Sequence, residues 1–423
     1  MRVNLHDYSG HPFQVQLSRN LAARGHEVLH EYSAQYITGH GRLTVGPDDP
    51  DTLSIRSLAA DVPLVKYSPR GRLRFELAYA DAWQRELERE QFDVVVACNV
   101  PLFAMSRMRQ FFARRGQPWV FWHQDVYSLG VAAEAARKLP KPLASAVRKR
   151  AERMECAQVA AAAAVVAIGE PFLDQYARWG LRNPSTHVIP NWAPLDELTP
   201  GNRDNAWARR NALPDGPIRL MYAGTLGRKH NPLLLLELLD AVRARGLDAT
   251  LIVVSEGVGA DDLAAAARGR EDVRILGYQP AEEFSNVLAS ADVMVALLEP
   301  DAAQFSVPSK VLSYLSAGRP IIALVPDGNP CAADVLASGG CIAAPTVDGA
   351  RGAAQWLLEA TRDPAGLARV GVRARNLATD RFDIDRIGSR FESILVEVAG
   401  GSERLRGRAG LISVGRDGSG GMD

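Results

Sequence analysis

Apolar residues along the chain fall into two patterns that alternate. Short continuous apolar blocks, such as Val94-Val95-Val96-Ala97-Cys98, read as strands buried on both faces. Between them, apolar positions recur three and four residues apart on a polar background, the spacing of one helix face. In the first half this predicts strands at Met1–Leu5, His26–Glu31, Phe92–Cys98, Trp119–Trp122, Val165–Ile168 and His187–Ile189. It predicts helices at Phe13–Arg24, closed by Gly25, at Leu73–Glu90, after Cys98 to about Arg115, from about Ala132 to Ala163, and at Glu170–Trp179. A loop is expected around Gly46–Pro50. Residues from Ala193 to about Gly216 carry Pro194, Pro200, Asn202, Pro214 and Gly216 and interrupt the alternation as a linker. A second series follows, with strands at Ile218–Ala223, Ala249–Val254, Val273–Leu276, Val293–Leu297, Ile321–Val325 and Cys341–Ala344. Its helices include Pro232–Arg243, Glu282–Ser290 and Ala353–Ala360, and Phe391–Val398 is a last candidate.

This order predicts an α/β protein of two Rossmann-like, doubly wound domains facing each other across a cleft, with ligands at the carboxyl ends of the strands. The expected divisions are 1–193, a linker at 194–216, 217–378, a closing helical segment at 379–399, and a tail at 400–423. The tail is rich in Gly, Arg and Ser, and the composition predicts disorder.

Composition narrows the picture. Formal net charge is zero, which gives no general attraction to nucleic acid. Cys98, Cys156, Cys331 and Cys341 are scattered without zinc-ligand or disulfide-scaffold spacing, the pattern of reduced thiols in the cytoplasm. Asp48-Asp49-Pro50-Asp51 sits in a Pro-flanked loop without further ligands, so no metal is expected. Met1 leads directly into a predicted strand with no signal-peptide pattern. The apolar run Val159–Ile168 falls far short of the ~20 residues a spanning helix needs. The segment Arg137–Arg153 holds seven basic residues and one acid, Glu152. It reads either as a solvated helix face or, with Leu139 and Leu143, as a peripheral contact with an anionic membrane.

Several strand ends carry candidate chemistry. Gln304-Phe305-Ser306-Val307-Pro308-Ser309-Lys310 leads into a helix, Gly318-Arg319-Pro320 and a buried strand. The free N–H groups of a helix start favour an anion, and Lys310 adds a point charge one turn in. Ala223-Gly224-Thr225-Leu226-Gly227-Arg228-Lys229-His230-Asn231-Pro232 follows a strand and opens a helix, with Asn231 as N-cap and Pro232 as first helical residue. Its glycines admit a ligand to the backbone, and Arg228 or Lys229 would meet phosphate oxygens. The bland alternative is a solvated basic turn. Ser255-Glu256-Gly257-Val258-Gly259 ends the next strand and reads equally as a ligand turn or a plain connection; it lacks the full dinucleotide fingerprint. Ser9-Gly10-His11-Pro12 is either a capped turn or a close backbone approach. His123, followed by Gln124 and Asp125, closes a strand and is a site candidate against the usual structural role of a lone histidine.

Taken together, Gly25-His26-Glu27-Val28, Val188-Ile189-Pro190-Asn191, Tyr222-Ala223-Gly224, and Ser306 to Lys310 with Gly318-Arg319-Pro320 resemble the family 4 retaining glycosyltransferases of the two-Rossmann-domain, or GT-B, type. The likeness runs from residue 1 to about 398 and is nearest to the colanic-acid-type exopolysaccharide branch. The resemblance implies a nucleotide-sugar in the second domain, a glycan or lipid-linked acceptor in the first, metal-independent transfer with retention, and a final helix crossing back to the first domain. It matches Lys229 to the family's phosphate-binding lysine, with Arg228 beside it, Gly10 to the glycine near the diphosphate, and His123 to the first-domain histidine near the donor sugar. Two glutamates that the family often carries eight positions apart fall at Phe305 and Ser313, and its phosphate arginine falls at Thr225.

The expected catalytic residues are therefore His123, Arg228 and Lys229. The expected donor contacts are Gly10, Gly224, Thr225, Glu256, Gly257, Ser306, Val307, Pro308, Ser309, Lys310 and Ser313. The expected reaction moves a hexosyl group from a UDP- or GDP-sugar to a glycan or lipid-linked hydroxyl in exopolysaccharide or cell-surface glycan synthesis, at or near the inner face of the plasma membrane. Two other readings remain open on the residues alone. One is a sugar-nucleotide epimerase of the same plan, with Glu256, Glu299 and Asp301 as available carboxylates. The other is a sugar-nucleotide-binding subunit without catalysis.

Overall fold

The computed structural model describes residues 1–36, 41–64, 68–183, 185–227, 231–298, 309–363 and 365–414 of the 423. The chain divides into two compact units: Met1–Pro190 together with the segment from Asp385 onward, and Asn191–Ile384.

The first unit is built on seven parallel strands: β1 (Arg2–Asp7), β2 (Glu27–Ser33), β3 (Leu53–Leu58), β4 (Val94–Cys98), β5 (Trp119–His123), β6 (Ala164–Ala167) and β7 (Thr186–Val188). Their order is β3-β2-β1-β4-β5-β6-β7. The second holds six: β8 (Ile218–Ala223), β9 (Ala249–Val254), β10 (Val273–Leu276), β11 (Val293–Leu297), β12 (Ile321–Leu324) and β13 (Cys341–Ala343), in the order β10-β9-β8-β11-β12-β13. Every paired neighbour is parallel. Both sheets reverse their winding beside their first strand, between β1 and β4 and between β8 and β11. Those two points are where an open parallel sheet accepts ligands. This is the two-domain α/β architecture of the GT-B fold.

Apolar runs account for the strands. All five residues of β4, β5 and β11 are buried, as are all six of β9. In the second unit Leu235, Leu238, Leu239 and Val242 of the helix Leu233–Arg243 pack into one cluster with Leu251, Val253, Val295 and Leu357. At ~25 cal/mol per Å² of apolar surface removed from water, such a cluster is the main favourable term holding the sheet together.

Several elements depart from the sequence reading, each for an identifiable reason. β3 was missed because Leu53-Ser54-Ile55-Arg56-Ser57-Leu58 alternates only loosely; it is an edge strand paired to β2 alone. The helical region predicted from Ala132 to Ala163 is two helices, Tyr127–Lys138 and Lys141–Ala161, divided at Leu139-Pro140, because proline cannot donate within a helix. The presumed linker contains a helix, Ala206–Arg210, and is fastened to β8 by buried Arg219. That guanidinium donates to the carbonyls of Pro214, Arg203 and Ser290 and pairs with Asp204 and Asp215 at 3.0 and 3.2 Å. The last helix runs Ile384–Val414, beyond residue 400, where disorder was expected. Leu405, Ala409 and Ile412 continue a helical spacing there that bulk composition conceals. Within the first unit this helix sets Phe391 against Trp122, with ring centroids 4.8 Å apart, and Glu392 against His26 at 2.9 Å.

Candidate donor site at the switch point of the second sheet

Three consecutive strands of the second unit end side by side, and their loops are tied to one another. β8 ends at Ala223, whose N–H and carbonyl both bond the Tyr314 hydroxyl, at 3.2 and 2.9 Å. Gly224 follows at φ 127°, in the region that strongly favours glycine, and its N–H donates to Val254 O at 3.0 Å. The Tyr222 hydroxyl donates to Thr225 O at 2.8 Å and closes the turn. Leu226 O accepts from Gly259 N–H at 3.0 Å, which locks the β8 loop to the β9 loop. A β-carbon at Gly259 would lie 2.6 Å from Leu226 O, so this joint requires glycine. Thr225 Oγ1 meets the Tyr278 hydroxyl at 2.7 Å, and Glu256 Oε1 accepts from Tyr278 N–H at 3.1 Å. Gly257 turns the chain at φ 110°.

Lys310 enters this cradle from the helix Lys310–Ser316, which leads to β12. Its ammonium donates to the Tyr222 hydroxyl and stands 3.9 Å from the centroid of the Tyr222 ring. A β-carbon at Gly224 would come within 3.6 Å of Lys310 Cε and 3.7 Å of Nζ. Burial pushes the ammonium down to about 7. Tyr314, one turn beyond Lys310, uses the same face of the helix to hold the end of β8. Ser309 is exposed and precedes the helix without a side-chain cap, and Ser313 is half-buried one turn in.

Of the sequence candidates, the fold thus gathers Gly224, Thr225, Glu256, Gly257 and Lys310 at one strand edge, with Ser309 and Ser313 on the adjoining helix. Arg228, Lys229, Ser306, Val307 and Pro308 lie outside the described residues, as do Phe305, Glu299 and Asp301. Asn231 is not the N-cap of the following helix: Pro232 holds that position, without a side-chain cap, and Asn231 Oδ1 accepts from Leu233 N–H at 3.3 Å in the turn before it. Tyr222, Tyr278 and Tyr314 were missed. Inside a strand Tyr222 looks like any apolar residue, whereas the Lys310–Tyr314 spacing of four was a usable signal.

In the first unit, Gly10 (φ 67°) follows β1. The Asp7 carboxylate organises its loop, accepting from Ser9 N–H at 3.2 Å, His11 N–H at 2.6 Å and Asn99 Nδ2 at 2.7 Å. Burial raises Asp7 to about 6. Asn99, at the end of β4, has φ 54°, a strained value that tends to mark functional turns. His123 ends β5 but its ring is 1% exposed. Its Nδ1 lies 2.6 Å from the Tyr176 hydroxyl and its Nε2 3.2 Å from Glu155 Oε1. Glu155 in turn accepts from the N–H groups of Tyr127 and Ser128 at the start of the next helix. As folded, both ring nitrogens face inward, so the ring presents neither to a ligand.

Two doubly wound parallel sheets, with strand-end loops tied together around Lys310 at the second switch point, are the plan of a GT-B transferase. Residues 11–192 match the glycosyl transferase 4-like domain and residues 217–368 the domain of glycosyl transferases group 1. The two matches together take in most of the chain, which is a GT-B glycosyltransferase of the family 4 type. Among curated proteins none matches it by sequence. Similar solved structures include sucrose-phosphate synthase from Thermosynechococcus elongatus (TM-score 0.72, 16% identity, 95% of this chain and 100% of that one). Anabaena HepE, solved with UDP and glucose, gives a TM-score of 0.65 at 14% identity over 94% of this chain and 100% of that one. A glycosyltransferase from Rickettsia africae gives 0.66 at 12% identity over 94% and 98%. Among the described residues no helix is long and apolar enough to cross a membrane.

Proposed function

We propose that the chain transfers a hexosyl group, with retention and without a metal, from a UDP- or GDP-sugar to a hydroxyl of a glycan or lipid-linked acceptor. The setting would be exopolysaccharide or cell-surface glycan synthesis of the colanic-acid type, on the cytoplasmic side of a membrane that the protein touches peripherally. The second unit carries the donor and the first the acceptor. The observation that supports this most is the Lys310 ammonium standing over Gly224 at the switch point, with no carboxylate partner among the described residues. The neighbour HepE was solved with UDP and glucose, which favours a uridine nucleotide.

In the reaction the bond between the anomeric carbon and the diphosphate oxygen breaks. The acceptor oxygen forms the new bond, and its proton passes to the departing diphosphate. Negative charge grows on that diphosphate. Lys310, with Arg228 and Lys229 from the adjoining loop, would stabilise it before the chemistry begins, an effect worth roughly 3 kcal/mol per well-placed group. Gly10 and the Asp7-organised turn would serve the acceptor side. His123 would act through Glu155 on the helix start at Tyr127 rather than as a base.

Lys229→Ala tests the reading. Transfer from a UDP- or GDP-sugar panel to lipid-linked and free glycan acceptors should fall about a hundredfold, with the melting temperature unchanged. Near-normal turnover would remove Lys229 from the mechanism. Sugar isomerisation without any acceptor would replace transfer by epimerisation, and nucleotide binding with no turnover would replace it by a binding role.

A further inference from the structure

Among the described residues the Lys310 ammonium meets the Tyr222 ring and hydroxyl from β8, while Tyr314 on its own helix holds Ala223 and Tyr278 beyond β10 reaches Thr225. Glu256, the carboxylate of the β9 loop, is turned to the Tyr278 N–H. Arg228, Lys229 and His230 of the β8 loop, and Glu299 and Asp301 of the segment before the Lys310 helix, lie outside the described residues. The Tyr222 hydroxyl already donates to Thr225 O, so it meets the ammonium as an acceptor and fixes its direction.

We propose that Tyr222 is the positioning residue of the donor site, and that Lys310, held by it over Gly224 with no carboxylate partner among the described residues, takes up a proton when a diphosphate arrives. This rests on the donor-site reading above. Because burial brings the ammonium down to about 7, charged and neutral forms coexist in the free protein near neutral pH. An anionic oxygen placed beside it favours the charged form and raises that value. The proton comes from solvent, and no covalent bond changes.

The sign follows directly. Between the free value near 7 and the higher value in the complex, the complex holds one more proton than the separated partners. Affinity therefore falls with rising pH above about 7, by up to about tenfold per pH unit, and is flat below it. Both phosphates of a sugar nucleotide are diesters, which do not titrate in this range, so the slope belongs to the protein.

The experiment is calorimetry of UDP-glucose, with GDP-mannose as second probe, binding to the full chain from about pH 6 to about pH 9 in two buffers of different ionisation heat. The expected result is a Kd nearly constant below neutrality, rising above it toward about tenfold per unit, with uptake approaching one proton near about pH 8. Lys310→Arg carries a permanent charge and should abolish both the slope and the uptake. Tyr222→Phe keeps the ring but removes the acceptor oxygen, which should move the onset of the slope to lower pH. Tight binding with a flat profile and no uptake would overturn the proposal while leaving the donor site standing. A slope that survives in Lys310→Arg would overturn it too, assigning the proton to another group. No binding of either sugar nucleotide at any pH would remove the donor site itself.

Discussion

At the scale of single residues, burial does more than contact in deciding chemistry. His30 on β2 is fully buried, with Nδ1 2.9 Å from Ser18 Oγ, and burial, with His6 and Arg19 nearby, lowers its value to about 3. The unfolded chain takes up this proton near 6.5, whereas the folded protein refuses it until about 3. Stability from this group is therefore complete above pH 6.5 and lost as pH falls toward 3. Between about pH 7 and about pH 5 His30 alone should remove about 2 kcal/mol. His30→Asn, compared with the parent by denaturant unfolding at both pH values, should show a loss smaller by that amount. An equal loss in both would mean the ring is solvated. The same inward turning explains why His123 misled the sequence reading. A strand-end histidine beside Asp125 looks ligand-facing, and nothing in a one-dimensional pattern says that Tyr176, far along the chain, will take its Nδ1.

At the scale of elements, the strands were legible and their fastenings were not. Continuous apolar blocks such as Val293–Leu297 locate the parallel strands closely, since a strand buried on both faces has no polar side to blur its ends. In the stretch 194–216 prolines and polar residues suggest an exposed linker, whereas the segment is anchored to the second unit. Arginines from elsewhere in the chain take its carbonyls: Arg219, which the pattern assigns to a strand, bonds those of Arg203 and Pro214, Arg375 those of Leu195 and Leu198, and Arg319 that of Gly201. Replacing Arg219 by Met should cost about 3 kcal/mol, because the carbonyls of Arg203, Pro214 and Ser290 lose their donor inside the fold. Urea unfolding should register this. Removing only the exposed partner, by Asp215→Asn, should change little. Equal costs for the two variants would mean that the ion pair, not the carbonyl anchoring, holds the segment. Legibility of the candidate site divides the same way. Gly224, Thr225, Glu256, Gly257 and Lys310 were readable as strand-end residues, but Tyr222, which holds the Lys310 ammonium, and Tyr278, which reaches Thr225, were not. Their hydroxyls act at distances in sequence that periodicity does not register.

At the scale of the whole molecule, a formal charge of zero conceals a local excess. The two helices that carry the chain from β5 to β6, Tyr127–Lys138 and Lys141–Ala161, pack on each other and are largely exposed around their joint at Leu139-Pro140. Glu134 neutralises part of Arg137 and Lys138, and Glu152 pairs with Arg148 at 2.8 Å. Lys141, Lys149, Arg150 and Arg153 are exposed and carry no ion pair among the described residues, and Leu143 beside them is 51% exposed. Exposed lysine and arginine around a bare leucine suit an anionic bilayer, where each basic residue near the surface contributes about 1 kcal/mol and the leucine adds burial among the acyl chains. Co-sedimentation with phosphatidylglycerol vesicles should therefore be strong at low salt, weak on phosphatidylcholine, and reduced as salt screens the charges. Lys141→Glu with Lys149→Glu and Arg150→Glu should abolish it, and Leu143→Ser should weaken it at every salt concentration. UDP-glucose affinity should be unchanged in all of them, since these residues belong to a different unit from the donor loops. Undiminished sedimentation of the triple variant would show that the charge excess is only a solvated face and that any membrane contact lies elsewhere.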